Sequence, residues 1–128
     1  MQIETSDGDI LDKISILELK QEFIKDQDKL KNVNKELEIL KNSCEHLIYN
    51  ESIADMYRQL KQINRELWIV ENSIRGKEKS KHFDSEFIEL ARSVYFTNDR
   101  RADIKKQINI RLKSGIIEEK NYQEYTEK

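Results

Sequence analysis

Apolar residues recur at helical spacing through three long stretches without proline, predicting helices over about 9–48, 52–79 and 85–113. In the first, Phe23, Leu30, Leu37 and Cys44 return every seven residues, with Val33, Leu40 and Leu47 at the alternate positions, a coiled-coil-like stripe. Ile16 and Leu19 extend it backwards. Ile10, Ile14, Leu17 and Ile24 fall on roughly the opposite face, so the first third of this helix is apolar on two sides and needs neighbours on both. Ser6, Asp7 and Asp9 are its candidate caps. Uninterrupted, it is roughly 60 Å long at 1.5 Å per residue. A bend at Lys25 to Asp28 would fold it back, but neither proline nor glycine stands there to cause one.

The second helix carries Ile53, Met56, Leu60, Ile63, Leu67, Val70 and Ile74 in steps of three and four, with Asn64 and Glu71 on or beside the same face. Asp84 caps the third, and Phe83 is spaced to staple onto Ile88. That third helix begins with a core stripe of Phe87, Leu90, Ala91, Val94 and Tyr95. Continued at about 100° per residue, the same face becomes Asn98, Arg101, Ala102, Lys105 and Asn109. A face that should be driest turns polar and cationic. Burying a charge without a partner costs several kcal/mol, so either this end is wet or something anionic meets it.

The expected fold is therefore all-α: an antiparallel three-helix bundle with a long coiled-coil-like first helix. Residues 10 to 22 would project beyond the turn between helices two and three. A second copy of the chain should cover them, with Ile10, Ile14, Leu17 and Ile24 at a homodimer interface. Ser114 and Gly115 read as the last C-cap, and Ile116, Ile117, Tyr122 and Tyr125 let part of the tail over 116–128 dock.

Composition narrows the classes. The charged fraction is 38%, with three glycines and no proline, which disfavours loop-rich or all-β folds. A net charge of −2 argues against a nucleic-acid binder, and Asp99 and Asp103 offset the basic RRADIKK run. Cys44 is alone, so no internal disulfide can form, and it reads as a small core residue. The acidic stretch MQIETSDGDILDK lacks a hydrophobic leader, and no apolar run approaches the ~20 residues of a membrane span. The expected compartment is cytoplasmic.

Candidate chemistry centres on the third helix. Asn98, Arg101, Lys105 and Asn109 could cradle an anion, Arg presenting a planar fork and Lys a mobile charge. The plainer alternative is a bundle end with ion pairs to helix one, for example Glu36. Glu71 and Arg92 stand behind the cradle as a buried pair, with Asn64 opposite Asn98, and both contacts could equally fix register. Asp12, Lys13, Ser15 and Glu18 lie among the apolar residues of the projecting segment. Glu118, Glu119 and Lys120 could fold back near Arg101 and Lys105. No phosphate-binding glycine loop, zinc-binding pair of histidines or Ser-His-Asp arrangement is present, so neither metal nor cofactor is expected.

The segments GDILDKISILELK at 8–20, NRELWIVENSIR at 64–75, FIELARSVYFTNDRRADIKKQIN at 87–109 and EEKNY at 118–122 resemble an uncharacterised family of small helical proteins of bacteria and their phages. Its members are often encoded beside glycosyltransferase and surface-polysaccharide genes, which implies a link to glycan or sugar-nucleotide metabolism. A looser, architectural similarity is to the all-helical chorismate mutases, which bind a dianionic substrate with Arg and Lys. Lys13 and Lys20 stand where that pattern has arginines.

The function expected from these readings is a non-catalytic helical bundle engaging a partner protein or a small anionic ligand through Arg101 and Lys105, oriented by Asn98 and Asn109. The alternatives are an enzyme using the cradle with Glu71 or Glu18 as acid or base, and a scaffold whose inward polar groups fix register.

Overall fold

A computed structural model describes residues 5–113, and within them the chain is all-helical. It forms α1 (Asp7–Phe23), α2 (Gln27–Ser43), α3 (Glu45–Ile48), a 3-10 turn (Glu51–Ile53), α4 (Ala54–Ser80) and α5 (Ser85–Arg111). The expected tail contacts and the Ser114–Gly115 cap lie outside the described residues.

The long first helix is not continuous. Ile24 is extended (φ −79°, ψ 131°), and the carboxylate of Asp26 accepts the backbone N–H groups of Asp28 and Lys29 at 2.9 and 3.2 Å, starting a new helix. An aspartate can break a helix without proline or glycine, because its side chain offers the backbone donors an alternative to the i−4 carbonyl. The chain turns back, placing Gln21 against Asn34 at 2.7 Å and Lys13 against Glu36 at 3.0 Å, so α1 and α2 are antiparallel.

This fold-back overturns the projecting segment and the argument for a second copy. Ile14 and Leu17, expected at a dimer interface, are at most 3% exposed inside their own chain, and Ile10 and Ile24 pack partly against the same core. α1 does need neighbours all round. α2 supplies one side, and α4 and α5 supply the other. The heptad stripe is used in the same way: Val33, Leu37, Cys44 and Leu47 join Leu11, Ile14, Leu17, Leu60, Ile63, Ile104 and Ile108 in one core.

α4 and α5 form an antiparallel hairpin, with Glu66 paired to Arg100 and Lys77 to Asp84 at 3.1 Å. α4 ends where Lys81 adopts a left-handed conformation (φ 57°), with His82 N–H donating to Lys77 O at 2.9 Å and Lys81 N–H to Glu78 O at 3.1 Å. That is the bond pattern of a Schellman cap, made here without glycine. Asp84 caps α5 by accepting from Phe87 N–H at 2.9 Å. Phe83 packs edge-on against Phe87, centroids 5.3 Å apart, and Ile88 is exposed. The stripe Phe87, Leu90, Ala91, Val94 is only half-buried and Tyr95 is exposed, because α1 crosses the hairpin further towards the end of α5.

Candidate functional site

The polar face of α5 is half-buried at Asn98, Arg101 and Lys105 and fully buried at Asn109, and what meets the last three of these is α1. Gly8 N–H donates to Asn109 Oδ1 at 2.7 Å, and Lys105 Nζ lies 2.7 Å from Asp9. Arg101 grips Asp12 with both edges of its fork, Nε donating to Oδ1 at 3.0 Å and Nη2 to Oδ2. The plainer expectation of ion pairs to helix one therefore describes Arg101 and Lys105. The partners are Asp12 and Asp9, while Glu36 pairs with Lys13.

Asp12, only 5% exposed, is the centre of this network. Its Oδ1 also accepts from Asn64 Nδ2 at 2.9 Å. Asn64 Nδ2 donates as well to Ser15 Oγ at 2.7 Å, and that hydroxyl donates to Asp12 O at 2.7 Å. A buried carboxylate with this many donors keeps its pairing energy because its lone pairs are filled. Burial raises the Asp9 carboxyl, but the bond from Lys105 and its charge outweigh that and hold it below the ordinary carboxylate range. Glu18 gathers a second cluster, accepting from the Tyr57 hydroxyl with Lys61 Nζ at 3.4 Å. Burial, then the neighbouring Glu18, push the Tyr57 phenol far up, so it acts as a donor.

Beside the Asp12 network, between α1, α4 and α5, opens a cleft of about 540 Å³, within the usual size for small-ligand sites. α1 contributes Ile16 and Leu19. α4 contributes Asn64, Leu67, Trp68, Glu71, Asn72 and Arg75, and α5 contributes Asn98 and Arg101. The lining joins four apolar side chains to three amides, two guanidiniums and the carboxylate of Glu71. Trp68 stacks on Phe23, centroids 5.5 Å apart, and Phe23 carries the Arg65 guanidinium 5.7 Å over its ring. Arg65 is clamped by Glu22, whose carboxyl that bond lowers, so the aromatic end of the cleft is tied to the end of α1.

Of the six residues expected at the ligand site, Arg101, Asn98 and Glu71 line this cleft. Lys105 and Asn109 sit at the α1–α5 contact instead. Arg92 borders a separate surface depression with Phe96 and Arg100, so the expected Glu71–Arg92 pair does not form. Glu71 lies 3.9 Å from Arg75, one turn along its own helix. Asn64 bonds to α1 rather than to Asn98. Sequence reasoning missed Trp68, Asn72 and Arg75 as cleft residues. Their signal was present: 64, 68, 71, 75 step by four, three and four along one α4 face, and 72 follows 68 by four. Among the described residues no cluster of His, Cys, Asp and Glu could hold a metal, and no helix is long and apolar enough to cross a membrane.

A family of unknown function (DUF6165) matches residues 1–127. The chain belongs to that family. No curated protein and no solved structure matches it significantly. Membership agrees with the expectation of an uncharacterised family spanning nearly the whole chain, and it assigns no activity to the cleft.

Proposed function

We propose that this protein is a non-catalytic binding or accessory protein whose α1/α4/α5 cleft takes a small anionic ligand. The observation that carries the reading is the convergence of Asn64, Asn72, Asn98, Arg75 and Arg101 on one cleft, where two guanidiniums and three amides outnumber the single carboxylate, Glu71. Arg101 is the fixed cation, held by Asp12. Arg75 is the movable one: its side chain is 81% exposed and its contact with Glu71 is 3.9 Å, a pairing worth little in solvent. An entering phosphate or carboxylate can take Arg75 from Glu71 at small cost, with Asn72 and Asn98 supplying directional bonds.

The chain has one tryptophan, Trp68, and it lines the cleft. Its fluorescence should respond to titration with inorganic phosphate, a hexose 1-phosphate or a nucleotide sugar, the last two chosen for the glycan link the resemblance implies. Arg75→Ala should weaken the response at least tenfold and leave the melting temperature unchanged. A flat Trp68 signal across this panel would remove the reading.

A second reading is a scaffold, favoured by the closure of Arg101 on Asp12 and Lys105 on Asp9. The enzyme alternative keeps one of its two carboxylates: Glu71 lines the cleft beside Arg75, while Glu18 is taken up by Tyr57 and Lys61 and Lys13 pairs with Glu36.

A further inference from the structure

We infer that the ligand of this cleft is a hydroxylated anion, which donates a hydroxyl hydrogen to Asn64 Oδ1 beside the anionic group that meets the arginines. The inference rests on the cleft-binding reading above and adds the chemistry of its polar wall.

Asn64 has two amide hydrogens and one carbonyl oxygen to offer. Its Nδ2 donates to Asp12 Oδ1 at 2.9 Å and to Ser15 Oγ at 2.7 Å. A carboxylate oxygen only accepts, and the single hydrogen of Ser15 Oγ is already given to Asp12 O at 2.7 Å. Neither neighbour can receive the carbonyl end of the amide, so its orientation is set by the network. Both hydrogens are spent on α1, which leaves the oxygen as the group Asn64 has to offer a ligand in the cleft it lines.

Arg101, held against the same Asp12 by Nε and Nη2, lines the wall beside it. The wall thus offers an acceptor next to a cation. A bare anion satisfies the cation and leaves the Asn64 oxygen desolvated with no donor, an outcome that polar sites reject strongly. A ligand with a hydroxyl near its charge satisfies both, and its carbon skeleton can lie on Leu19 and Trp68. The chemistry is that of a polyol phosphate or hydroxy acid.

The test compares glycerol 3-phosphate with n-propyl phosphate, equal in charge and similar in length, on the full chain. Amide and indole resonances of Asn64 and Trp68 are followed by NMR. Glycerol 3-phosphate should bind at least tenfold more tightly and shift the Asn64 side-chain signals. In Ser15→Ala, which removes one acceptor and frees an Asn64 hydrogen, the gap between the two probes should narrow. Equal binding of the two phosphates by the unaltered chain, or a gap unmoved in a folded Ser15→Ala, would overturn the hydroxyl assignment and leave the cleft reading standing. No perturbation of Trp68 or Asn64 by either phosphate would overturn both.

Discussion

Gly8 donates its backbone N–H to Asn109 Oδ1 at 2.7 Å, joining the first turn of α1 to the last turns of α5. A Cβ at Gly8 would stand 2.7 Å from Lys105 O and 3.0 Å from Asn109 Oδ1. The closer neighbour is backbone and cannot rotate away. Gly8→Ala should therefore destabilise the fold by about 1–3 kcal/mol, the usual cost of overpacking, read as a fall in denaturant midpoint. A midpoint unchanged in Gly8→Ala would mean that α1 does not dock this closely.

Asp12 and Arg101 are expected to behave as a coupled pair. Removing Arg101 leaves the Asp12 carboxylate, 5% exposed, without its cation, so Arg101→Met should cost about 3 kcal/mol or more. Asp12→Leu leaves Arg101, which is less enclosed and can reach solvent, and should cost less. The double variant Asp12→Leu with Arg101→Met should be less damaged than the losses of the single variants Asp12→Leu and Arg101→Met summed, and the double-mutant cycle of these four proteins measures the coupling. Strict additivity would show that the pair contributes nothing jointly.

The fold-back at Asp26 makes a further claim. Asp26→Ala removes the cap of α2 and should cost about 1 kcal/mol. Because Ile14 and Leu17 are covered by their own chain, the melting temperature should not depend on protein concentration across the micromolar range. A melting temperature that climbs with concentration would point to a second copy over α1.

Lys81 holds a left-handed backbone at the end of α4. Lys81→Gly relieves the strain between Cβ and backbone and should stabilise by about 0.5–1 kcal/mol. Thermal denaturation checks it, and a destabilised variant would place a compensating contact at the lysine side chain.

Acid should weaken the fold. Lys105 and the Ser6 and Thr5 hydroxyls hold Asp9 low against the opposing effect of burial, Arg65 holds Glu22 low, and the Phe87 N–H and Lys77 hold Asp84 low. Groups depressed on folding stabilise fully above their unfolded values, near about 4, and lose that contribution as pH falls through the folded ones. Unfolding midpoints should fall from about pH 5 downward. Asp9→Asn should flatten that dependence, and a dependence as steep as before would remove Asp9 from the account.

Much of this was legible in residue order. The starts of α1 at Ser6 and of α5 at Asp84 follow from local capping chemistry, which acts over three or four residues and needs no tertiary partner. The polar interruption at Asn98, Arg101, Lys105 and Asn109 was also visible, together with the requirement that something anionic meet it. The partner was not visible, because Asp9 and Asp12 lie about ninety positions earlier and nothing local links them to α5. Asp26 was equally silent: an aspartate in a helical pattern caps a new helix only if the chain gains by turning there.

What residue order determined by itself was the helical class, the apolar stripes and the doubly apolar character of α1, since periodicity and composition are properties of the chain alone. Only the tertiary structure decided who covers α1, that Asp12 holds Arg101 while Arg75 stays exposed, and that both amide hydrogens of Asn64 go to α1. Those outcomes depend on which distant groups meet, and a buried amide or guanidinium takes its orientation from the partners that surround it.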